Sequence, residues 1–133
     1  MTSELHDTSL LQTRAFVDGQ WINSESGETF GVSNPATGEE ICRVSNCGGA
    51  ETRRAIEAAE RAMVSWQSKT ARDRSELLRR WYERVMASQE DLAVIMTLEQ
   101  GKPLAESRAE VAYGASFIEW FAEEAKRVYG DII

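Results

Sequence analysis

Two cysteines and one histidine are the residues of this sequence best suited to nucleophilic or metal chemistry. Cys42 and Cys47 lie five positions apart without a second cysteine pair or a neighbouring histidine, a spacing that does not match a zinc site. No histidine stands beside either cysteine to activate its thiol. The single histidine, His6, lies in a polar leader at the start of the chain, so a serine triad or a core histidine base is excluded. We therefore predict structural roles for both cysteines.

The glycines and acidic residues also do not form a recognisable site. Gly48-Gly49 is the one adjacent glycine pair, and neither Gly-Lys-Ser/Thr nor Gly-x-Gly-x-x-Gly accompanies it. The pair therefore predicts a turn from a strand into a helix rather than a phosphate-binding loop. The carboxylates of Glu39-Glu40 and Glu123-Glu124 are sequence neighbours, and such neighbours do not face each other on a helix. Residue types and spacing alone thus present no assembled active site.

Aromatic residues in the last third of the chain allow two interpretations. Tyr113, Phe117, Trp120 and Phe121 recur at helical spacing, which is more typical of a core face than of a ligand contact. The same four side chains would also suit the wall of an apolar channel. Both interpretations stay open at the level of the sequence.

The sequence predicts short strands in the first third of the chain, followed by the helices that carry the aromatic residues. Asp18-Gly19, between Ala15–Val17 and Trp21-Ile22, is typical of a tight hairpin turn. A second pair of predicted strands covers residues 29–33 and 40–45. After residue 48 the apolar period becomes helical, and we predict about four helices over residues 50–130. Their predicted boundaries are the capping patterns Thr70-x-x-Asp73 and Ser88-x-x-Asp91, Gly101 as a stop, Pro103 as the first residue of the last helix, and Gly130 as its end.

The composition of the chain excludes several classes of protein. The 133 residues include 22 acidic and 15 basic side chains, for a net charge of -7, and no basic stripe exists that would neutralise nucleic acid. No apolar run approaches the ~18 residues of a membrane span. Two cysteines are too few for a secreted disulfide scaffold. We therefore predict a cytoplasmic protein with neither nucleic acid nor membrane as its partner.

Several segments, in order from about Thr13 to the last residue, carry a family resemblance. They are Phe16-Val17-Asp18-Gly19-Gln20-Trp21, Val32-Ser33-Asn34-Pro35-Ala36-Thr37-Gly38-Glu39, the helix from Ala58 to Trp66, Leu98-Glu99-Gln100-Gly101-Lys102-Pro103-Leu104 with Glu106, and Ser116 to Arg127. On these motifs the chain resembles the N-terminal portion of the aldehyde dehydrogenase superfamily. The run from Phe117 to Glu124 points to its succinate-semialdehyde dehydrogenase branch.

The resemblance implies an intact α/β fold, to which this chain contributes short antiparallel strands followed by about four helices. It implies NAD- or NADP-dependent oxidation of succinate semialdehyde, in 4-aminobutyrate breakdown, through a cysteine nucleophile and a glutamate that activates water. The motifs that carry those groups, such as Trp-Asn-Phe-Pro and Gly-Gln-x-Cys, do not occur here, and the surroundings of Cys42 and Cys47 do not match them. We assign no catalytic or cofactor-binding residue, expect no cofactor to bind this chain alone, and predict that the chain alone is inactive.

The resemblance also predicts two sites from the positions of the matching motifs. Some family members bind a monovalent cation through a backbone carbonyl near the Asn-Pro segment and an acidic residue before Gly-Lys-Pro. In this sequence the carbonyl belongs to Ser33 or Val32 and the acidic residue is Glu99, and such hard oxygen ligands suit a monovalent cation. The first turns of the last helix border the substrate entrance, which places Tyr113 and Phe117 there.

These predictions combine into one interpretation with one alternative. Residues 1–13 form a disordered polar leader, and residues 14–133 form the N-terminal part of a cofactor-binding domain, with strands over about 14–46. The resemblance implies that the intact enzyme is homo-oligomeric. The isolated fragment is expected to self-associate through apolar helix faces, because Val111, Ile118 and Phe121 have no obvious partner surface. The alternative is a stand-alone helical interaction module without enzymatic activity.

Overall fold

A computed structural model describes residues 5–130 and contains four short strands followed by four long helices. The elements are β1 (Ala15–Val17), β2 (Gln20–Ile22), β3 (Thr29–Ser33), β4 (Glu40–Ser45), α1 (Gly49–Gln67), α2 (Ala71–Ala87), α3 (Gln89–Gln100) and α4 (Leu104–Glu124). The predicted fold class, antiparallel strands and then about four helices, is confirmed. Between residues 5 and 130, none of the helices is long and apolar enough to cross a membrane.

The strands form two separate antiparallel hairpins. In the β1–β2 hairpin, Asp18 and Gly19 adopt φ angles of 53° and 78°, the left-handed pair that a tight two-residue turn requires. In the β3–β4 hairpin, Val32 lies opposite Cys42, and the register shifts between Val32 and Ser33. Both predicted hairpins are confirmed.

The two predicted helix caps have different outcomes. At the start of α2, the Thr70 hydroxyl accepts the Asp73 backbone N–H at 3.2 Å, and the Asp73 carboxylate accepts the Thr70 backbone N–H at 3.2 Å. This capping box was predicted. At the start of α3, the Ser88 side chain makes no capping hydrogen bond. Ser88 is the N-cap residue of α3 as predicted, but the capping box does not form. The Ser88 backbone, with ψ of 14°, is not extended as a capping residue usually is, and the Asp91 carboxylate binds the backbone N–H groups of His6 and Asp7.

The last helix is shorter than predicted. Pro103 immediately precedes α4, which ends at Glu124 instead of continuing to Gly130. Beyond that point, the N–H groups of Lys126 and Arg127 bond to carbonyls only three residues back. The following side chains are highly exposed, so no packing favours another helical turn.

The helical core consists mainly of small residues. α4 packs against both α2 and α3, and the buried apolar side chains among the described residues are Leu5, Ala58, Ala93, Val111, Ala115 and Ala122. The prediction that Val111 lacks a partner surface is wrong, since its side chain is only 7% exposed. Ile118 is half-buried, and Phe121 is exposed as expected.

The N-terminal residues depart most from the prediction. A disordered leader was predicted for residues 1–13, of which 1–4 lie outside the described residues. Within residues 5–13, the Leu5 side chain is buried and Thr8–Leu10 form a single 3-10 turn, while residues 6–9 are exposed. In contrast to the predicted disorder, backbone N–H groups of His6 and Asp7 have hydrogen-bond partners far away in the sequence.

Candidate functional site

The C-terminal end of α3 lies against the β3–β4 hairpin. Gly101 ends the helix with a φ angle of +73°, and its N–H donates to the Thr97 carbonyl at 2.8 Å. A Cβ atom on Gly101 would lie only 2.8 Å from Cγ of Pro35, in the turn that joins β3 to β4. The turn and the helix end are thus in close contact, which fixes where Glu99 lies.

The two parts of the predicted cation site lie next to this contact in the sequence, with Glu99 shortly before Gly101 and Ser33 shortly before Pro35. Burial raises the pKa of the Cys42 thiol, and the negative charges of Glu99 and Glu40 raise it further. Cys42 pairs with Val32 across the β3–β4 hairpin. No cluster of three or more acidic, histidine or cysteine side chains suited to a metal occurs within residues 5–130. A cation at this point would therefore depend on backbone carbonyls together with Glu99, and the site stays a prediction.

The predicted entrance residues lie on an open face of α4. The Tyr113 and Phe117 rings form an edge-to-face pair with centroids 4.9 Å apart, and Trp120 and Phe121 lie on the same side of the helix. We call these four residues the α4 aromatic stripe. All four are exposed, so they do not form the core of this chain. Their proposed place at a substrate entrance stays a prediction.

An open groove of about 600 Å³ is lined both by Glu99 and by the two predicted entrance residues, Tyr113 and Phe117. It runs between α3 and α4, and its lining includes Met96, Glu99, Tyr113, Gly114 and Phe117. A Cβ atom added to Gly114 would meet nothing within 4 Å. The glycine therefore contributes open space to the groove and is not required by a neighbour among residues 5–130.

Arg79 on α2 organises the charges beside the stripe, a role that the sequence patterns did not show. Its guanidinium donates to Glu119 at 2.8 Å and to Glu123 at 3.3 Å, and it lies 5.8 Å from the centroid of the Tyr82 ring. The pKa of Glu123 is lowered, mainly by the hydrogen bond and charge of Lys126, with Arg79 contributing. Both carboxylates next to the aromatic stripe are therefore held by cations of this chain.

A carboxylate binds the backbone at Gly48, the residue that precedes α1. Glu51 is buried, and its carboxylate accepts the backbone N–H of Glu25 at 2.6 Å and that of Gly48 at 2.8 Å. These hydrogen bonds lower the pKa of Glu51. A negative charge at this point disfavours a phosphate group there. The turn around Gly48-Gly49 is thus unsuited to the phosphates of a nucleotide cofactor.

Comparison with known proteins identifies the family. The aldehyde dehydrogenase family model matches residues 21–133. The chain is 58% identical over 130 residues to a 3-sulfolactaldehyde dehydrogenase of Pseudomonas putida, and 56% identical over 130 residues to a glutarate-semialdehyde dehydrogenase of P. putida KT2440. Each alignment covers 98% of this chain and 27% of the relative.

A solved structure gives the same result. The crystal structure of succinate-semialdehyde dehydrogenase from Burkholderia pseudomallei superposes with a TM-score of 0.93 at 55% identity, covering 96% of this chain and 26% of that one. The chain thus spans about a quarter of the length of the relatives that it matches. With its hairpins, helices and motifs in the order of that structure, the chain belongs to the aldehyde dehydrogenase family and represents the N-terminal part of such an enzyme.

Proposed function

We propose that the protein that includes this chain oxidises an aldehyde with an acid group at its far end, with succinate semialdehyde as the substrate and NAD or NADP as the oxidant. The observation that supports this most strongly is the set of relatives at 55–58% identity. They are named for 3-sulfolactaldehyde, glutarate semialdehyde and succinate semialdehyde. Each of these molecules combines an aldehyde with a sulfonate or a carboxylate.

In this proposal the chain supplies scaffold and part of the substrate entrance. Tyr113 and Phe117 border the entrance through the open groove between α3 and α4. Glu99, which also lines that groove, and a backbone carbonyl of Ser33 or Val32 form the monovalent cation site. The turn at Gly48 is unsuited to the phosphates of NAD or NADP, since the Glu51 carboxylate binds there, and in this proposal other parts of the enzyme bind the cofactor. The nucleophile, the general base and the oxyanion donors also lie outside this chain.

The alternative of a stand-alone interaction module is less well supported. Its core among the described residues consists mostly of alanines, while the four large aromatic side chains of the stripe face outward. Such a distribution suits one part of a larger core better than a complete small domain.

The test uses a hybrid enzyme, in which this chain replaces the matching N-terminal 27% of the P. putida glutarate-semialdehyde dehydrogenase. We expect the hybrid to oxidise succinate semialdehyde with a higher kcat/KM than butanal, which has the same number of carbons and no acid group. The unmodified host enzyme is the matched control. A Tyr113→Ala change in the hybrid should raise KM more than it lowers kcat, because an entrance residue contributes to substrate binding. A hybrid that prefers butanal would contradict the proposed substrate class.

A further inference from the structure

The carboxylate of Asp91, at the start of α3, is bound to the N-terminal segment of the chain. Its Oδ1 accepts the backbone N–H of His6 at 2.9 Å, and its Oδ2 accepts the backbone N–H of Asp7 at 2.9 Å. These pairs join residues 85 and 84 positions apart. Asp91 is only 6% exposed, and Leu5, which precedes the two donors, is also buried. The two backbone groups therefore meet a charged acceptor that is largely shielded from water.

The same segment has defined contacts along its length. The Asp7 carboxylate accepts both the backbone N–H of Ser9, at 2.9 Å, and its hydroxyl, at 2.6 Å. At the far end, the carbonyl of Thr13 accepts the backbone N–H of Ser45 at 2.9 Å. Residues 5–13 thus run from the first turn of α3 to the last residue of β4, and they link the helical and strand parts of the chain.

We propose that residues 5–13 form a strap, latched to α3 by the Asp91 carboxylate, that opens when this carboxylate loses its charge. The latch binds backbone N–H groups, so it requires a charged acceptor at position 91 and not a particular side chain at position 6. The His6 ring, 3.2 Å from Oδ1, lies mostly in solvent and adds little.

Hydrogen bonds from the strap, more than the charges around the latch, favour a closed strap at neutral pH. His6 and Asp7 face it from the strap, Glu90 adjoins it on α3, and Arg108 of α4 is already bound to Glu90 at 2.8 Å. The hydrogen bonds from the strap lower the pKa of Asp91. The strap is therefore expected to open only below the ordinary titration range of an aspartate, or when the side chain is replaced.

Hydrogen exchange measured by mass spectrometry on the full chain tests the latch. In Asp91→Asn, one carboxylate oxygen becomes an N–H donor that faces a backbone donor. Exchange in residues 5–13 should then become about tenfold faster or more, as expected when hydrogen bonds to a charged group are lost. The peptide that contains Ser45 should also exchange faster, while peptides of α4 should not change. Glu90→Gln and His6→Ala are the matched controls, and both should leave the exchange of the strap close to that of the parent chain.

A chain that lacks residues 1–12 separates the latch from a role of Asp91 inside α3. In that shortened chain, Asp91→Asn should no longer alter exchange anywhere, because its partners have been removed. If the substitution speeds exchange of α3 as much there as in the full chain, Asp91 supports the helix and the proposal is overturned. The proposal also fails if Asp91→Asn leaves the exchange of residues 5–13 unchanged, or if His6→Ala speeds it equally.

Discussion

Replacing the α4 aromatic stripe with glutamine should make the isolated chain more soluble without unfolding it. Tyr113, Phe117, Trp120 and Phe121 are 65%, 47%, 61% and 59% exposed. Since each aromatic side chain offers about 150–250 Å², the stripe leaves roughly 500 Å² of mostly apolar surface in water. At about 25 cal/mol per Å², burying that surface would contribute on the order of 10 kcal/mol. This is comparable with the whole stability of a typical domain.

We therefore expect the parent chain to self-associate and to bind a hydrophobic dye. The four-glutamine variant should sediment as a smaller species and bind much less dye, with its helical circular dichroism preserved, because these side chains do not fill the core of the chain. Ala122→Gln is the matched control. Position 122 is 0% exposed, so a buried amide there should reduce the helical signal. A monomeric parent chain without dye binding would refute the reasoning, as would a four-glutamine variant that unfolds like the control.

Three further predictions can be measured by urea unfolding in the soluble four-glutamine background. Gly101→Ala should destabilise the chain by about 1–2 kcal/mol for the left-handed backbone and by a further ~1 kcal/mol or more for the contact with Pro35. Gly38→Ala, at φ +75° with open space around it, should show only the first cost, and equal losses would contradict the close contact. Gly114→Ala should stabilise the chain by about 0.5–1 kcal/mol, because alanine is favoured over glycine inside a helix and the added methyl group would have no atom within 4 Å. A loss of stability would reveal a contact that the structure lacks. Because the pKa of Glu51 is lowered below its ordinary value of 4.5, the unfolded chain binds more protons than the folded chain in acid. Stability should therefore fall as the pH drops below about 4.5, and Glu51→Gln should be less stable at neutral pH and show a shallower slope.

Local patterns in the sequence predicted the parts of the fold that depend on neighbouring residues. The Asp18-Gly19 turn, the Thr70–Asp73 capping box and the stop at Gly101 each form from residues within a few positions of one another, so their residue types suffice. The bounds of β3 and β4 were predicted for the same reason.

Contacts between distant parts of the chain were not predictable in this way. Ser88-x-x-Asp91 has the pattern of a capping box, yet the partners of Asp91 lie 84 and 85 positions earlier. The apolar period of α4 did not show that Val111 would find a partner while Phe121 would not. The candidate site has the same limitation, since only the folded chain places the end of α3 at Gly101 against Pro35 in the turn between β3 and β4.

The activity of the hybrid enzyme tests most directly whether this chain is the N-terminal part of an aldehyde dehydrogenase. Purified hybrid and purified isolated chain would be compared at equal concentration with NAD, NADP and succinate semialdehyde, by following NAD(P)H absorbance. We predict saturable NAD(P)H formation by the hybrid, with a rate within about tenfold of that of the host enzyme. Imperfect packing between the two similar parts would cost a few kcal/mol of folding stability, and it would leave the catalytic residues of the host in place. The isolated chain should show no formation above the buffer control. A soluble hybrid without activity, or saturable turnover by the isolated chain, would contradict the account.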